Sequence, residues 1–348
     1  MQLTEDDPSR PWTDEGVFQV APGVHRIPLP MPNDYLRAVN VYAIDDGETL
    51  TLVDSGVAVA DSRDRLEAAL ATLGSGLPDV TRFFVTHIHY DHYSQALALR
   101  EQFGARVSLG REEQPSLSVL ADPSAPALGE RLSLLRHYGA PEIIDAVLSA
   151  RDGGRSPITG FPDAWLDNDT SLVVGGRTLR VMHTPGHTRG HVVFVDGGEG
   201  LIFAGDHILP HITPSIGFEP ASASLPLGDY LQSLRRVREI PDARLLPAHG
   251  PITHSMHKRI DELLAHHHQR LDAAASCAAG AAETAAEVAR QLTWTRRERH
   301  LDELDPFNQM LAVLETGAHL DLLVAQDRLS STPIDGVLHY ASAAVGQA

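Results

Sequence analysis

The chain has 348 residues, of which 43% are hydrophobic, and a formal net charge of −18 at pH 7. This composition is typical of a globular protein of about two domains, and the negative charge disfavours a nucleic acid or an anionic membrane as partner. A single cysteine excludes an intrachain disulfide, and no apolar run approaches the roughly 18 residues that span a bilayer. Because the N-terminal residues also lack a signal-peptide pattern, we expect a cytoplasmic protein with no membrane contact.

The first predicted elements are three strands that form a meander. Alternating apolar residues mark strands at 23–30, 38–44 and 49–53, with a turn at 45–47. Apolar residues at helical spacing then predict helices at 62–73 and 94–103. These segments would build a first sheet with helices packed against it.

A cluster of metal-binding residue types follows the next strand. The apolar run 82–86 ends in the motif His87-Ile88-His89-Tyr90-Asp91-His92. His87 and His89 are two residues apart in extended chain and can share one cation, whereas Asp91 and His92 follow the turn and face a second position. So many imidazoles in six residues repel or lose hydration unless a cation organises them. The spacing therefore predicts two metal ions.

Residues 112–163 form the least regular part of the chain, with helical patterns at 128–138 and 141–151. This insertion lies between predicted metal-binding strands. It is expected either to cover the metals and shape a pocket for an apolar acyl or aryl group, or to form a packed helical pair without substrate contact.

Three later strands also end in potential ligands. The strand at 178–182 precedes a turn with His187, the strand at 201–204 precedes Asp206, and the strand at 244–248 precedes His249. A second sheet is predicted over residues 171–248, with a helix at 229–240. The shared position at strand ends makes the set a stronger signal than any one residue.

The pattern changes after His254. Helices are predicted at 257–275, 283–292, 307–316 and 319–326, followed by a turn at 330–336 and a strand at 337–340. The three consecutive histidines 266–268 point in three directions on a helix, so we expect them to face mainly solvent. Residues 254–348 contain eight Lys and Arg against thirteen Asp and Glu, which disfavours DNA binding. This part is expected to pack on the catalytic domain, to close one side of the pocket or to make a homodimer contact.

On these motifs the chain resembles the metallo-beta-lactamase superfamily, in the hydrolase branch that includes glyoxalase II and beta-lactamase-like protein 2. The resemblance implies an α/β fold, a four-layer αβ/βα sandwich over residues 16–253, with a mostly helical, winged-helix-like C-terminal domain at 254–348. It implies that His87, His89 and His187 hold the first metal and that Asp91, His92 and His249 hold the second, with Asp206 bridging both. Zinc suits this donor set best, although iron or manganese would also accept it.

Two further residues are candidates for supporting roles. Asp54, in the turn Val53-Asp54-Ser55-Gly56, resembles the family's acidic residue that supports the histidine loop, although an ordinary turn would have the same sequence. His191 is expected either to contact a ligand or the substrate, or to be a hydrogen-bonded histidine at a strand start.

The resemblance implies a binuclear hydrolase that attacks a small ester, thioester or lactone with a metal-bridging hydroxide, and Asp91 would orient the water and carry its proton. A true beta-lactamase is disfavoured, because some subclasses place cysteine in the second site and another lacks the bridging carboxylate, whereas this chain has Asp206 and no nearby cysteine. The alternatives are an endoribonuclease of the beta-lactamase-like protein 2 type and a mononuclear iron persulfide dioxygenase. Directly after Asp91-His92 this chain has Tyr93-Ser94, whereas many relatives have glycine at the second of these two positions.

Overall fold

A computed structural model describes residues 3–31, 36–122, 124–125, 128–150, 160–280, 283–295 and 297–343. The end of the helix predicted at 141–151, part of the insertion, and the last five residues of the C-terminal part lie outside the described residues.

Within the part of the chain that the structure describes, the first sheet has eight strands in sequence order. The predicted meander is confirmed as its antiparallel part, and the strands from β5 onwards run parallel to one another. Two strands that were not predicted precede the meander: Val17–Ala21 pairs with it in antiparallel fashion, and the short strand Leu3–Glu5 pairs with Val17–Ala21 in parallel. The strands are β1 (Leu3–Glu5), β2 (Val17–Ala21), β3 (Val24–Pro30), β4 (Ala38–Asp46), β5 (Thr49–Val53), β6 (Val80–Phe84), β7 (Arg106–Gly110) and β8 (Ala164–Leu166).

The second sheet has five strands in the order β13-β12-β11-β10-β9. All neighbours are antiparallel except β12 and β13, which are parallel. These strands are β9 (Ser171–Val174), β10 (Arg177–His183), β11 (Val192–Asp196), β12 (Leu201–Gly205) and β13 (Arg244–Pro247). Their span agrees with the predicted second sheet.

The helices are α1 (Ala60–Thr72), α2 (Tyr90–Phe103), α3 (Gln114–Ala121), α4 (Gly129–His137), α5 (Ile144–Ser149), α6 (Pro226–Arg238), α7 (Met256–Ala278), α8 (Ala285–Gln291) and α9 (Pro306–Ala325). Short 3₁₀ turns precede β6, α3, α5 and α9. Among the residues described, no helix has both the length and the apolar character needed to cross a membrane.

The strands alternate between cores, and this alternation produces four layers. In β4, Val41 packs with α1 and α2 in one core, whereas Tyr42 packs against the second sheet in another. In β12, Phe203 faces the first sheet, whereas Ile202 packs with α6, α7 and α9. Because successive side chains of a strand point to opposite faces, each sheet is covered on both sides. The order of layers is helices, sheet, sheet, helices, as expected.

The described residues of the insertion form three helices, α3 to α5, of which the sequence predicted the last two. It packs against the C-terminal part through Tyr138, which donates a hydrogen bond of 2.7 Å to one carboxylate oxygen of Asp321. Tyr340 donates one of 2.7 Å to the other oxygen. The insertion, α9 and the C-terminal hairpin therefore meet at a single carboxylate.

Three expectations for the C-terminal part were wrong. The two helices predicted at 307–316 and 319–326 are one continuous helix, α9, that includes Gly317. The predicted turn at 330–336 is mostly strand β14 (Leu329–Ile334), which pairs with β15 (Val337–Ser342) in a hairpin. The expectation that residues 266–268 face mainly solvent was wrong at one position, because His266 and His268 are exposed but His267 is fully buried against the ring of His319. The winged-helix likeness of this part and a domain boundary after residue 253 stay predictions.

Candidate metal centre

The histidine motif lies where β6 leads into α2. His87 is fully buried, and His89 is half-buried at the open edge of the site. Helix α2 begins at Tyr90, so Asp91 and His92 lie in its first turn. An acidic residue is favourable there because the N-terminus of a helix carries partial positive charge.

The first group of potential ligands comes from both sheets. Single donor atoms of His87, His89, His187 and Asp206 all lie within 4.8 Å of one another. The Nε2 atom of His187 lies 3.0 Å from Nδ1 of His89 and 3.5 Å from Oδ2 of Asp206. His187 is carried by the loop after β10, and Asp206 follows β12 directly.

The second group lies beside the first and also draws on both sheets. It consists of Asp91, His92 and His249, whose donor atoms again lie within 4.8 Å of one another. The Oδ2 atom of Asp91 is 3.1 Å from Nε2 of His249 and 3.3 Å from Nε2 of His92. The Oδ1 atom of Asp206 is 3.4 Å from Nε2 of His249 and 3.7 Å from Nε2 of His92. Asp206 therefore directs one oxygen towards each group.

The donor atoms of this centre are buried but lack hydrogen-bond partners. This holds for Nε2 of His87, His92 and His249 and for Oδ1 of Asp206. Buried polar atoms are nearly always paired, and several unpaired nitrogens and oxygens that lie close together indicate a cation-binding site. Imidazole and carboxylate are the ligands that zinc prefers. The residues present therefore fit two divalent metal ions.

Hydrogen bonds from outside the two groups orient the imidazoles. Asp54 accepts from the backbone amide of Thr86 at 2.8 Å through Oδ1, and its Oδ2 lies 2.9 Å from Nδ1 of His92. The carbonyl oxygen of Ser215 lies 2.8 Å from Nδ1 of His187. The carbonyl oxygen of Ala38 lies 2.8 Å from Nδ1 of His249. The three contacts to Nδ1, in His92, His187 and His249, each place a proton on that atom. The lone pair of Nε2 is then directed into the centre.

Asp54 holds its position with an unusual backbone conformation. Its φ is +60°, a left-handed value that few side chains adopt and that is typical of functional turns. The next residue, Ser55, donates a hydrogen bond of 2.7 Å to the carbonyl oxygen of His92. The turn therefore contacts both the side chain and the backbone of His92.

His191 is fully buried, and its ring stacks on that of His87 with centroids 5.0 Å apart. Its Nδ1 lies 2.9 Å from the hydroxyl of Thr184, and its Nε2 accepts from the backbone amide of Asp206 at 3.2 Å. Gly205 must be glycine here, because its φ is +50° and a Cβ would lie 2.7 Å from Nε2 of His191. His191 thus fixes the backbone that presents Asp206.

The pKa values of the histidines differ with their surroundings. Burial, and then the neighbouring imidazoles, hold the pKa of His87 and of His89 well below the usual value, so both are neutral at pH 7. Burial acts in the same direction at His92, but the carboxylates of Asp91, Asp54 and Asp206 outweigh it and raise its pKa. Burial opposes ionisation of Asp91, but His92 and His249 lower its pKa well below the usual value. Asp91 is therefore a carboxylate at neutral pH.

A model of the metallo-beta-lactamase superfamily matches residues 34–249. The chain belongs to the metallo-beta-lactamase superfamily. A metallo-beta-lactamase family protein of Thermus thermophilus has a similar structure, with a TM-score of 0.78, 30% identity, and coverage of 93% of this chain and 100% of that one. The probable metallo-hydrolase YqjP of Bacillus subtilis strain 168 is 25% identical over 331 residues, which is 88% of this chain and 93% of the relative.

A third relative is named for an acyl substrate. The atrochrysone carboxyl ACP thioesterase of Aspergillus fumigatus is 26% identical over 231 residues, which is 66% of this chain and 42% of the thioesterase. Two lactamase-like proteins from Pestalotiopsis species are also longer, and the chain spans 61% and 64% of their lengths. This chain thus spans less than two thirds of these three relatives.

The departure from the common superfamily motif has a packing explanation. Tyr93 is fully buried, and its hydroxyl donates a hydrogen bond of 2.9 Å to the carbonyl oxygen of Gly160. The hydroxyl of Ser94 donates to the carbonyl oxygen of Tyr90 and accepts from the amide of Ala58 at 2.9 Å. Both side chains therefore brace α2 against its surroundings, and Tyr93 does not face the metal centre.

Two buried glutamates near the centre were not predicted. Glu113 accepts a hydrogen bond of 2.5 Å from the hydroxyl of Thr188, and Glu219 accepts one of 2.8 Å from the amide of Arg189. Burial, and then repulsion by Glu219, raise the pKa of Glu113 to about 8. Both glutamates brace the loop that carries His187. Glu113 closely follows β7, so its position after a strand was the available signal.

Proposed function

We propose that this protein is a binuclear metal-dependent hydrolase that cleaves a small ester, thioester or lactone. The observation that carries the proposal is the pair of adjacent donor groups with Asp206 directed towards both. A single metal site would not need a second set of buried donors with unpaired atoms beside it.

The proposed ligands follow from the two groups. His87, His89 and His187 would hold one divalent cation, and Asp91, His92 and His249 would hold the other, with Asp206 between them. We propose zinc as the cation, because five imidazoles and two carboxylates suit its borderline softness. When bound, the two cations would lower the pKa of a water molecule towards about 7 and polarise a substrate carbonyl.

The catalytic residue of this proposal is Asp91. Its side chain is 12% exposed, so it borders the open edge of the centre, while its Oδ2 stays close to His92 and His249. A carboxylate in this place can accept a proton from the attacking water and hand it to the departing oxygen or sulfur.

An acyl substrate is supported by two features. The superfamily relative from Aspergillus fumigatus is named as a thioesterase. The half-buried His89 also borders an aromatic side chain, Phe218, with ring centroids 6.3 Å apart. An apolar surface beside the reacting centre suits an acyl or aryl group better than a polyanion.

The first test is the metal content of the purified protein, measured by elemental analysis and paired with a hydrolysis panel of thioesters, lactones and single-stranded RNA. We expect two zinc ions per chain and hydrolysis of at least one acyl substrate. His87→Ala and Asp91→Ala should abolish this hydrolysis. His268→Ala is the matched control, because the side chain of His268 is 74% exposed on α7 and should be dispensable.

Other results would point to the alternatives. One iron per chain, with oxygen consumption on a persulfide and no hydrolysis, would replace the proposal with the dioxygenase. Cleavage of RNA alone would indicate the endoribonuclease despite the acidic charge of the chain. The cytoplasmic location and a homodimer contact stay predictions from the sequence.

A further inference from the structure

One short segment connects the metal centre with the C-terminal helix α9. Within residues 215–218, the carbonyl oxygen of Ser215 lies 2.8 Å from Nδ1 of His187. Gly217 packs against α9 so closely that a Cβ would lie 3.3 Å from the carbonyl oxygen of Leu314. Phe218 follows directly. The C-terminal part therefore lies next to the centre and does not form a remote appendage.

Phe218 is the middle of a row of aromatic rings that leads from the centre towards solvent. Its ring centroid is 6.3 Å from that of His89 and 5.4 Å from that of Phe307, which it meets edge to face at 83°. Phe307 is 45% exposed. We call Phe218 and Phe307 the aromatic wall. A large apolar ring that stays exposed next to a reacting centre has a binding partner more often than an isolated surface ring does.

The aromatic wall is held rigidly from two sides. The guanidinium of Arg131, in the insertion helix α4, lies 4.4 Å from the centroid of Phe218. Phe307 is the second residue of α9, and its amide donates a hydrogen bond of 3.1 Å to the capping side chain of Asp305. Pre-organised aromatic side chains bind apolar groups at low cost in conformational entropy.

We propose that the aromatic wall binds the acyl group of the substrate, and that this group is a medium-chain aliphatic or an aryl-containing one. This inference rests on the proposed hydrolase function and specifies its substrate class. The acyl carbonyl would lie at the metal centre beside His89, and the chain would extend along Phe218 to Phe307. The C-terminal helix thereby determines specificity without supplying any of the proposed metal ligands.

The test compares acyl chains on a constant leaving group. Acetyl, butyryl, octanoyl and phenylacetyl thioesters of N-acetylcysteamine are hydrolysed by the wild type, Phe307→Ala and Phe161→Ala. Phe161 is the matched control, because it is 41% exposed and its nearest aromatic partner is Trp165, at 6.5 Å, on strand β8. We expect Phe307→Ala to lose about tenfold in kcat/KM for the octanoyl and phenylacetyl thioesters and less than about twofold for acetyl. Phe161→Ala should match the wild type.

The result that would overturn the inference is an equal loss for all four acyl groups. A loss that follows the leaving group, measured with acetyl esters of different thiols, would overturn it as well. Melting curves by circular dichroism check that Phe307→Ala is folded. If it is not, Phe307→Leu takes its place and should keep most octanoyl activity while losing phenylacetyl activity.

A binding measurement separates this inference from the proposed function. Phenylacetate and octanoate, the products of the long substrates, are titrated into the metal-loaded protein by calorimetry. We expect Phe307→Ala to weaken their binding about tenfold relative to Phe161→Ala. Hydrolysis of no ester, thioester or lactone by the wild type would refute the hydrolase proposal, whereas equal affinities of the two variants for both acids would refute the aromatic wall as a binding surface.

Discussion

Asp54 offers a sharp test of how the second donor group is oriented. Its carboxylate accepts from the amide and the hydroxyl of Thr86 at 2.8 and 3.0 Å, and it lies 2.9 Å from Nδ1 of His92. In Asp54→Asn the amide nitrogen would face the protonated Nδ1 of His92, or the amide would turn and lose its contacts with Thr86. The first outcome removes the acceptor of Nδ1 of His92, and the second removes the contacts that hold the side chain in place, so each weakens the orientation of His92.

The expected effect is a loss of metal affinity confined to the second group. Removing such an outer contact typically costs about 10- to 100-fold in affinity, which corresponds to about 1.4–2.8 kcal/mol. Asparagine tolerates the left-handed φ of +60°, so Asp54→Asn removes the carboxylate without much additional backbone strain. Asp54→Ala should show the same metal loss together with a lower stability.

The assay is competition for zinc between the protein and a chromophoric chelator, which resolves a tight and a weakened site. Asp335→Ala is the matched control, because Asp335 also has a positive φ, +50°, and lies in the exposed turn of the C-terminal hairpin. It should leave both zinc affinities unchanged. If Asp54→Asn kept both sites intact, or weakened both equally, the assigned role of Asp54 would be wrong.

Three further predictions concern stability. Asp321→Ala leaves the buried hydroxyls of Tyr138 and Tyr340 without their acceptor, so the free energy of unfolding in urea should fall by about 2–5 kcal/mol, while Asp321→Asn should lose less. The pKa of Glu113 is about 8 in the folded protein against 4.5 in the unfolded chain, so between these values the folded state binds the extra proton. The free energy of unfolding should therefore decrease from pH 5 to 8. Glu113→Gln should flatten this slope in urea titrations. Burial, and then His319, lower the pKa of His267 to about 2. This shift should reduce the free energy of unfolding as the pH falls below 6.5. His267→Phe should reduce that acid sensitivity in thermal melts.

The candidate centre could be located from the sequence because its donors follow strands directly. His87, Asp206 and His249 each stand within three residues of a strand end, and the ends of adjacent strands meet at one edge. The position of these residues after strand ends therefore predicted that they lie close together in the fold. Glu113 was not predicted, because a single glutamate after a strand is ordinarily a solvated turn residue. Its burial depends on the loop that carries Thr188, which is far away in the sequence.

The C-terminal part was harder to predict, because the structure of its residues depends on contacts with residues far away in the chain. Two helices were predicted on either side of Gly317, yet one helix continues through it. A Cβ at this position would lie 2.2 Å from the ring of Tyr138, so glycine is needed for the insertion to pack against α9. His267 was expected in solvent, but its side chain lies on the face of α7 that packs against α9. Neither partner is near in sequence.

The two sheets each contribute to both donor groups, and this division has a mechanical consequence. His87 and His92 are fixed to the first sheet, whereas His187 and His249 are fixed to the second. The apolar core between the sheets keeps them apart. It includes the rings of Phe84 and Phe194, whose centroids are 5.9 Å apart. The width of this apolar layer therefore sets the separation of the opposing imidazoles. Apolar side chains that are not among the proposed ligands therefore act as a spacer for the donor groups.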